Sequence, residues 1–353
     1  MSDSTENHKE SFEKEEQNRQ TTAPLCPFFG ACGGCSFQNM PFDDYLKMKT
    51  QNVERLLRQA GIEKKADKVL TVPLHSRQRA TFAFFKSHLG FNKAKSHDIE
   101  DISSCLLLRE ELERLIVPLR KVLSCFYSAG DVYVLSLPEG VDVRIEESGK
   151  KKTKLAYEQM ENLADFAREN NLARLTFNGD LIFQRTQSPL TAGDFLQPSQ
   201  EGESLLVKEV LTEMAGFQKA VDLFCGAGTF TLPLFQSGLK VLGIDSNRKA
   251  LSVLEKKGVP FLYRDLFRFP MSAAELAPYD AIVVDPPRAG ALEQSRELAQ
   301  SGVKKIVMIS CAPNTFARDA AVLKQGGYMI KRLTVLDQFT FSRHIEVVGV
   351  FEK

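Results

Sequence analysis

From about Thr191 onward, the chain alternates short, almost entirely apolar stretches with segments of helical periodicity. Apolar stretches of four to six residues between helices are typical of a mostly parallel sheet covered on both faces. The predicted strands are Ala220–Phe224, Val241–Ile244, Phe261–Tyr263, Ala281–Val284, Lys305–Ile309, Tyr328–Leu336 and Ile345–Phe351. The last two are expected to form a hairpin pair at one edge. The sequence therefore predicts a doubly wound α/β domain over residues 191–353.

The residues before this domain fall into three parts. Residues 1–22 are polar, and we expect a disordered tail because they cannot bury enough surface to offset the entropy of ordering. Residues 23–65 join a cysteine- and glycine-rich segment to a helix from about Phe42 to Ala60. Residues 66–190 show short strand patterns around one helical stretch near Glu110–Ser124. They are predicted to form a β-rich middle domain.

Composition narrows the possible classes of protein. Hydrophobic residues make up 43% and charged residues 26% of the 353 residues, as in soluble globular proteins. No apolar run approaches the roughly 18 residues of a membrane span, and the N-terminus lacks the apolar core of a signal peptide. We therefore expect a cytoplasmic protein, and nothing indicates an obligate protein partner, so a monomer is expected. Seven cysteines in such a protein indicate metal binding or catalysis rather than disulfides.

The first strand of the α/β domain runs into a glycine-rich turn, Asp222-Leu-Phe-Cys-Gly-Ala-Gly-Thr. Gly226 and Gly228 allow a sharp turn and a close approach of the backbone to a ligand. The next strand ends in Asp245, about 20 residues on, where a carboxylate can accept hydrogen bonds from ribose hydroxyls. Dinucleotide sites normally have a third glycine, but Thr231 stands there and the acidic Asp222 lies upstream. These residues favour S-adenosylmethionine, and so a methyltransferase, over a dehydrogenase.

The later strands end in residues that suit covalent catalysis. Asp285 follows the fourth strand and is held by two prolines, and Cys311 follows the fifth, just before a helix whose N-terminus is expected to lower the thiol pKa. His344 and Glu346 are expected to share one face of the last strand. A thiolate that adds to carbon 6 of uracil makes carbon 5 nucleophilic, and a base must later remove the carbon-5 proton. We assign Cys311 as nucleophile, Glu346 as general base and Asp285 as the residue that orients the ring.

Four motifs in this order resemble the bacterial RNA 5-methyluridine methyltransferases. They are the glycine-rich turn, Asp285-Pro-Pro-Arg-Ala-Gly, Ser310-Cys-Ala-Pro-Asn-Thr-Phe-Ala-Arg-Asp and the closing His344-Ile-Glu, and the resemblance spans about residues 25–353. It implies a class I S-adenosylmethionine-dependent methyltransferase fold, a donor site that includes Gln197, Phe224, Asp245, Asp265 and Asp285, and the roles given above to Cys311 and Glu346. The chain departs from the family pattern at Ala312, usually Asn, and at Thr340-Phe341, usually Pro-His.

Cys26, Cys32 and Cys35 form a C-x5-C-x2-C pattern whose glycines free the backbone to wrap around a metal. Cys105 or Cys125 can supply a fourth ligand. Four thiolates suit a structural zinc as well as an iron–sulfur cluster. The resemblance is to the iron–sulfur type that lacks an N-terminal β-barrel module. It implies that a [4Fe–4S] cluster is held by these three cysteines and Cys105, and the spacing does not suit radical chemistry.

A stacked base is inaccessible to this chemistry, so the target uridine must lie in a loop or be flipped out. Basic residues lie among phenylalanines in the middle domain, and this combination of charge and stacking surface suits RNA, although a solvated face over a phenylalanine core gives the same pattern. The residues are Arg77, Arg79, Lys86, Lys93, Lys95, Phe82, Phe84, Phe85 and Phe91. Cluster-bearing relatives without the barrel favour 23S ribosomal RNA as the partner.

Other functions remain as alternatives. One is methylation of transfer RNA, and another is a non-catalytic iron–sulfur RNA-binding protein, which would not need Cys311 and Glu346. Arg288 argues against two other enzyme classes. At this position of the motif, a 5-methylcytosine enzyme generally has a cysteine and an amino-group methyltransferase typically has an aromatic residue.

Overall fold

The structure is a computed structural model and describes residues 23–126, 128–149, 152–188, 191–193 and 196–353. The predicted tail of residues 1–22 lies outside these ranges. Within them, the helices in chain order are α1 Phe42–Gln59, α2 Glu110–Glu113, α3 Ile116–Leu123, α4 Tyr157–Glu169, α5 Gln200–Met214, α6 Thr231–Gln236, α7 Arg248–Lys256, α8 Ala273–Leu276, α9 Leu292–Gln300 and α10 Pro313–Gln325.

The strands of the same ranges are short, as their apolar patterns indicate. In chain order they are β1 Lys68–Thr71, β2 Arg79–Phe85, β3 His88–Asn92, β4 Ile99–Asp101, β5 Ala129–Leu137, β6 Gly140–Glu147, β7 Leu172–Phe177, β8 Asp180–Gln184, β9 Lys219–Leu223, β10 Lys240–Asp245, β11 Phe261–Tyr263, β12 Ala281–Val284, β13 Lys305–Ser310, β14 Met329–Asp337 and β15 Glu346–Glu352. Every strand predicted after Thr191 is present to within one or two residues.

The contacts between Cα atoms divide the described residues into two compact units. The first unit contains the described residues up to 45, those from 72 to 200, and residues 340–342. The second unit contains residues 46–71, 201–339 and 343–353. Most of α1 and the whole of β1 therefore belong with the C-terminal half of the chain.

The second unit is built on an eight-stranded sheet in the order β1-β14-β15-β13-β12-β9-β10-β11. The pairs β13–β15 and β14–β15 are antiparallel and all other neighbours are parallel. Helices connect the parallel strands, as such connections require. The doubly wound α/β fold is therefore confirmed. The expectation that the last two strands form the edge is wrong, because β1 pairs in parallel with β14 and covers it.

Apolar side chains of β9, β12, β13 and β14 form the core of the second unit together with α10 and the buried face of α1. Val53 and Leu57 of α1 are almost fully buried in this cluster. Burying each such side chain stabilises the fold by about 1.5–3 kcal/mol relative to leaving it exposed. The polar ends of the strands are thereby held on a rigid support, and these ends carry the predicted site.

The first unit contains a seven-stranded sheet in the order β4-β3-β2-β5-β6-β7-β8, antiparallel except for β6–β7. Its core includes Phe82 and Phe84, which are at most 1% exposed. The parallel pair needs a crossover, and α4 provides it. The β-rich character predicted for this part of the chain agrees with the sheet, but α4 and the short strand β4 were not predicted.

No helix among the described residues is long and apolar enough to cross a membrane.

Candidate active site

Three predicted site residues lie at one end of the strands of the eight-stranded sheet. Asp285 directly follows β12, and Cys311 directly follows β13. Glu346 begins β15, which runs in the opposite direction, so its first residue lies beside the last residues of β13. The register pairs Ser310 with Val347, which places Cys311 next to Glu346 across the two strands. Residues far apart in the sequence are thus gathered at the carboxyl ends of the parallel strands, where open α/β sheets bind ligands.

The Cys311 thiol is half-buried, and its environment raises its pKa. Burial is the largest cause, and the negative charges of Glu346 and Asp285 add to it. Arg288 opposes them through its positive charge and as a hydrogen-bond donor to the thiol. The net pKa of the thiol in the ligand-free protein is therefore raised, whereas the sequence led us to expect a lowered one.

Glu346 is 5% exposed, and burial raises its pKa to about 8, with a further contribution from Asp285. Gln338 donates a hydrogen bond of 3.0 Å from Nε2 to Glu346 Oε1, and this bond lowers the pKa, as does the charge of Arg288. Burial also raises the pKa of Asp285 to about 7. Both carboxyl groups can therefore gain or lose a proton near neutral pH, as groups that transfer protons in catalysis must.

The glycine-rich turn after β9 has the predicted backbone geometry. Phe224, Gly226 and Gly228 have φ values of 64°, 54° and 93°, so the chain passes through the left-handed region at all three. Asp245, at the end of β10, accepts 3.0 Å and 2.7 Å hydrogen bonds from the amides of Gly226 and Asn247. The carboxylate thus ties the ends of two neighbouring strands together. Phe224 has a side chain in a backbone conformation that only glycine adopts without strain, and such strained residues are common at ligand sites.

Asp222 does not face the turn as an open carboxylate. It is completely buried, accepts a 2.6 Å hydrogen bond from Thr231 Oγ1, and leaves its Oδ1 without a partner. Burial raises its pKa to about 7. The sequence suggested that its charge favours a cationic ligand, but in this structure Asp222 stabilises the start of α6 from inside the fold.

A cavity of about 170 Å³ opens beside the glycine-rich turn. Its lining combines Phe224, Leu266, Phe267 and Arg318 with residues 289–294. The rings of Phe224 and Phe267 lie 5.3 Å apart, and Phe267 is 49% exposed. Asp265 precedes this wall, and its Oδ1 accepts a 3.0 Å hydrogen bond from the Phe267 amide. Of the predicted donor-site residues, Phe224 lines the cavity and Asp265 shapes its wall.

Gln197 belongs to the first unit. It is 6% exposed, and its carbonyl accepts a 3.0 Å hydrogen bond from Gln78 Nε2.

The four cysteines expected to bind a cluster line a single cavity of about 100 Å³ in the first unit. Cys125 is not among its lining residues and is exposed. Gly34 donates a 3.4 Å hydrogen bond from its amide to Cys32 Sγ. Burial raises the pKa of Cys35 to about 12, the neighbouring Cys105 and Cys32 raise it further, and Arg77 lowers it. Among the described residues, no group of three or more His, Cys, Asp or Glu side chains has the geometry of a metal site.

Two departures from the family pattern have structural counterparts. Ala312 is the N-cap of α10 and offers no side-chain oxygen to the helix, which the more usual Asn provides. Phe341 has a φ of 59°, is 4% exposed, and packs within the first unit, where its carbonyl accepts hydrogen bonds from the amides of Ser36 and Phe37.

The prediction for His344 is wrong. It precedes β15 and is exposed, whereas Glu346 is buried, so the two side chains do not share a strand face. The ring of His344 instead meets the edge of Phe339. In the middle-domain sheet, Phe82 and Phe84 are core residues and cannot stack on bases, while Phe85 is 47% exposed with Lys86 over its ring.

Three residues near the predicted site were not recognised from the sequence. Arg288 served only to exclude other enzyme classes, although it follows Asp285 in the same motif and acts on Cys311. Phe267 follows Asp265 by two residues, and an aromatic residue there was the available signal. Gln338 gave no signal, because its partner is Glu346 on the neighbouring strand.

Comparison with known proteins relates the chain to RNA methyltransferases. The family model described as tRNA (uracil-5-)-methyltransferase matches residues 263–353, the part that contains Asp285, Cys311 and Glu346. An uncharacterised RNA methyltransferase of Brucella suis is 36% identical over 94% of this chain and 84% of the relative. The 23S rRNA (uracil(1939)-C(5))-methyltransferase RlmD of Shewanella woodyi is 30% identical over 93% of this chain and 82% of the relative.

Among solved structures, the chain resembles the Pyrococcus abyssi tRNA (uracil-54, C5)-methyltransferase, which was crystallised with S-adenosyl-L-homocysteine. The TM-score is 0.71 at 23% identity, over 91% of this chain and 86% of the other. This likeness shows that the two proteins share a fold.

Proposed function

The chain belongs to the RNA uracil-C5 methyltransferases, and we propose that it methylates its target uracil through a covalent intermediate on Cys311 with S-adenosylmethionine as donor. The observation that carries the proposal is the meeting of Cys311, Glu346 and Asp285 at one edge of the sheet. A core cysteine would not require a buried carboxyl group, a second, half-buried one and a guanidinium beside it, since removing ionisable groups from water has a free-energy cost.

The reaction begins with loss of the Cys311 proton. The raised pKa of the thiol keeps it protonated in the ligand-free protein, and Arg288 is the group that stabilises the thiolate. The thiolate adds to carbon 6 of the uracil, and the electron pair of the 5,6 double bond moves to form an enolate. Carbon 5 then takes the methyl group, and the donor leaves as S-adenosylhomocysteine.

The second half of the reaction restores the ring. The Glu346 carboxylate removes the proton from carbon 5, the electron pair re-forms the 5,6 double bond, and the bond between carbon 6 and Cys311 Sγ breaks. The thiolate then regains a proton. Asp285, with a pKa raised to about 7 by burial, can hold a proton and donate a hydrogen bond to a uracil carbonyl, which fits a role in orienting the ring.

The donor is proposed to bind beside the glycine-rich turn. Gly226 and Gly228 would allow its close approach, Asp245 at the end of β10 would accept hydrogen bonds from its ribose, and Phe224 with Phe267 would provide the apolar walls that an adenine ring requires. Asp265 holds the turn that carries Phe267. Gln197 is proposed as a further donor contact on the resemblance alone.

We further propose that Cys26, Cys32, Cys35 and Cys105 hold a [4Fe–4S] cluster. The four thiols line one cavity, and a backbone amide hydrogen-bonds one sulfur, as is common around clusters. When bound, the cluster joins the cysteine-rich segment to Cys105 through four thiolate bonds. It takes no part in methyl transfer in this proposal.

The substrate is proposed to be large-subunit ribosomal RNA, because the 23S rRNA methyltransferase of Shewanella woodyi is similar over most of both chains. Mass-spectrometric mapping of 5-methyluridine in ribosomal and transfer RNA, with and without the gene, tests this. Without the gene, we expect 5-methyluridine to be lost at a single site in 23S rRNA. If 5-methyluridine were lost only from transfer RNA, transfer RNA would be the substrate.

The covalent mechanism is tested with Cys311→Ala and Glu346→Gln. We expect the first to bind the donor but transfer no methyl group. We expect the second to form a methylated RNA–protein adduct that survives denaturation and is released slowly. Methyl transfer by Cys311→Ala would refute the proposal.

A further inference from the structure

A buried ion pair lies at the end of β14, close to Glu346. Lys49 of α1 approaches Asp337 with its Nζ 2.6 Å from Oδ1, and the two side chains are 3% and 0% exposed. Both residues belong to the second unit. A buried charge without its partner is strongly destabilising, so the pair fixes the end of β14 against α1.

The register of the sheet connects this pair to the active site. Asp337 pairs with Thr71 of β1, and the preceding Leu336 pairs with Glu346 of β15. The next residue, Gln338, is 3% exposed and donates its 3.0 Å hydrogen bond to Glu346 Oε1. The residue that holds the Glu346 carboxyl is thus the immediate neighbour of a buried, ion-paired aspartate.

We propose that Gln338 is a positioning residue for the general base and that the Lys49–Asp337 pair holds Gln338 in place. The proposal rests on the role proposed above for Glu346. The amide donor occupies Oε1 and reduces its basicity, so Oε2 is the atom that takes the carbon-5 proton. The same donor stabilises the carboxylate form, which the base must adopt before each elimination.

The expected defect is confined to elimination. Gln338→Met removes the donor at nearly constant volume and should slow release of the methylated adduct about 10- to 100-fold, since a hydrogen bond to a charged group contributes about that factor to an equilibrium. Formation of the adduct and the KM for RNA should not change. Loss of this hydrogen-bond donor also raises the Glu346 pKa. The rate of elimination should therefore begin to rise at a higher pH than in the wild type.

The experiment follows labelled RNA on denaturing gels in single-turnover reactions across pH. Glu346→Gln serves as the reference for a blocked base. Lys49→Met and the double variant Lys49→Met, Asp337→Asn test the ion pair, and the second avoids an unpaired buried aspartate. Lys305→Met is the control, because Lys305, 13% exposed, forms an ion pair with the buried Glu213 and stands at the opposite end of β13.

We expect the adduct to accumulate in Gln338→Met and in both ion-pair variants, but not in Lys305→Met, even if all are less stable than the wild type. Release of the adduct by Gln338→Met at the wild-type rate would overturn the proposal. Slow turnover with neither an accumulated adduct nor a shifted pH profile would overturn it as well. Failure of Glu346→Gln to accumulate an adduct would instead contradict the mechanism on which it rests.

Discussion

Cys311 and Glu346 are neighbours across two antiparallel strands, because Ser310, directly before the cysteine, pairs with Val347, directly after the glutamate. The proposed nucleophile and the proposed base are therefore fixed to the same pair of backbones, and neither depends on a mobile loop for its position. This closeness also has an electrostatic cost, since Glu346 opposes ionisation of the thiol after burial has already raised the thiol pKa.

Arg288 should control the pH at which the enzyme works. Its charge lowers the pKa of both Cys311 and Glu346, so Arg288→Met raises both. Because the thiolate and the carboxylate are the active forms, we expect methylation at pH 7.5 to fall by up to about 10-fold for each unit by which the thiol pKa rises, and to recover partly by pH 9. Arg288→Lys keeps the charge and should stay closer to the wild type. A loss of rate that is equal at all pH values would contradict this explanation.

Phe267 should contribute to donor binding. Its ring lines the cavity beside Phe224, and removing an aromatic wall of this kind costs about 1–2 kcal/mol, or roughly 10-fold in affinity. Phe267→Ala should therefore weaken S-adenosylhomocysteine binding measured by calorimetry. Phe269→Ala is the matched control, since Phe269 is 64% exposed and does not line the cavity. Equal affinities of the two variants would place the donor elsewhere.

Buried acids should make the ligand-free protein less stable as the pH rises. Burial raises the pKa of Asp222 and Asp285 to about 7 and that of Glu346 to about 8, against about 4 in an unfolded chain. Between about pH 4 and 8 the folded state therefore binds more protons than the unfolded state, so the unfolding free energy falls with increasing pH. We expect Tm to decrease from pH 5 to 8.

Asp222→Asn separates this effect from general denaturation. The amide cannot ionise and can still accept the hydrogen bond from Thr231. Its Tm should depend less steeply on pH than that of the wild type. Parallel Tm curves for the two proteins would contradict the assignment of a raised pKa to Asp222.

The cluster proposal predicts different results for two cysteines of the first unit. After anaerobic purification, Cys105→Ser should lose most of its iron and inorganic sulfide, because Cys105 lines the shared cavity. Cys125→Ser should retain the wild-type content, because Cys125 is exposed and outside that cavity. If the wild-type protein were colourless and contained one zinc ion, the cysteines would hold a structural zinc ion and not a cluster. Equal iron loss in both variants would exclude Cys105 as a specific ligand.

The sequence predicted most of the second unit because its signals are local. A strand of four to six apolar residues followed by a polar residue places Asp245, Asp285 and Cys311 at one edge without knowledge of the tertiary structure. The parallel arrangement then brings them together.

The features that were missed depend on distant partners. The raised Cys311 pKa comes mainly from burial and then from Glu346, and no local sequence pattern shows either. The four residues of β1 are half exposed and have little apolar signal of their own, so their place in the larger sheet depends on β14. His344 was misplaced because β15 begins only at Glu346, so His344 lies before the strand whose alternation of faces the prediction assumed.

The pairing of β1 with β14 also has a consequence for synthesis on the ribosome. The Leu333 amide donates to Asp67 across 266 residues of sequence, so α1 and β1 leave the ribosome long before the strand that completes them exists. At about 5–20 residues per second, that interval is about 13–50 s. Until that strand is made, the core that buries the apolar face of α1 is incomplete.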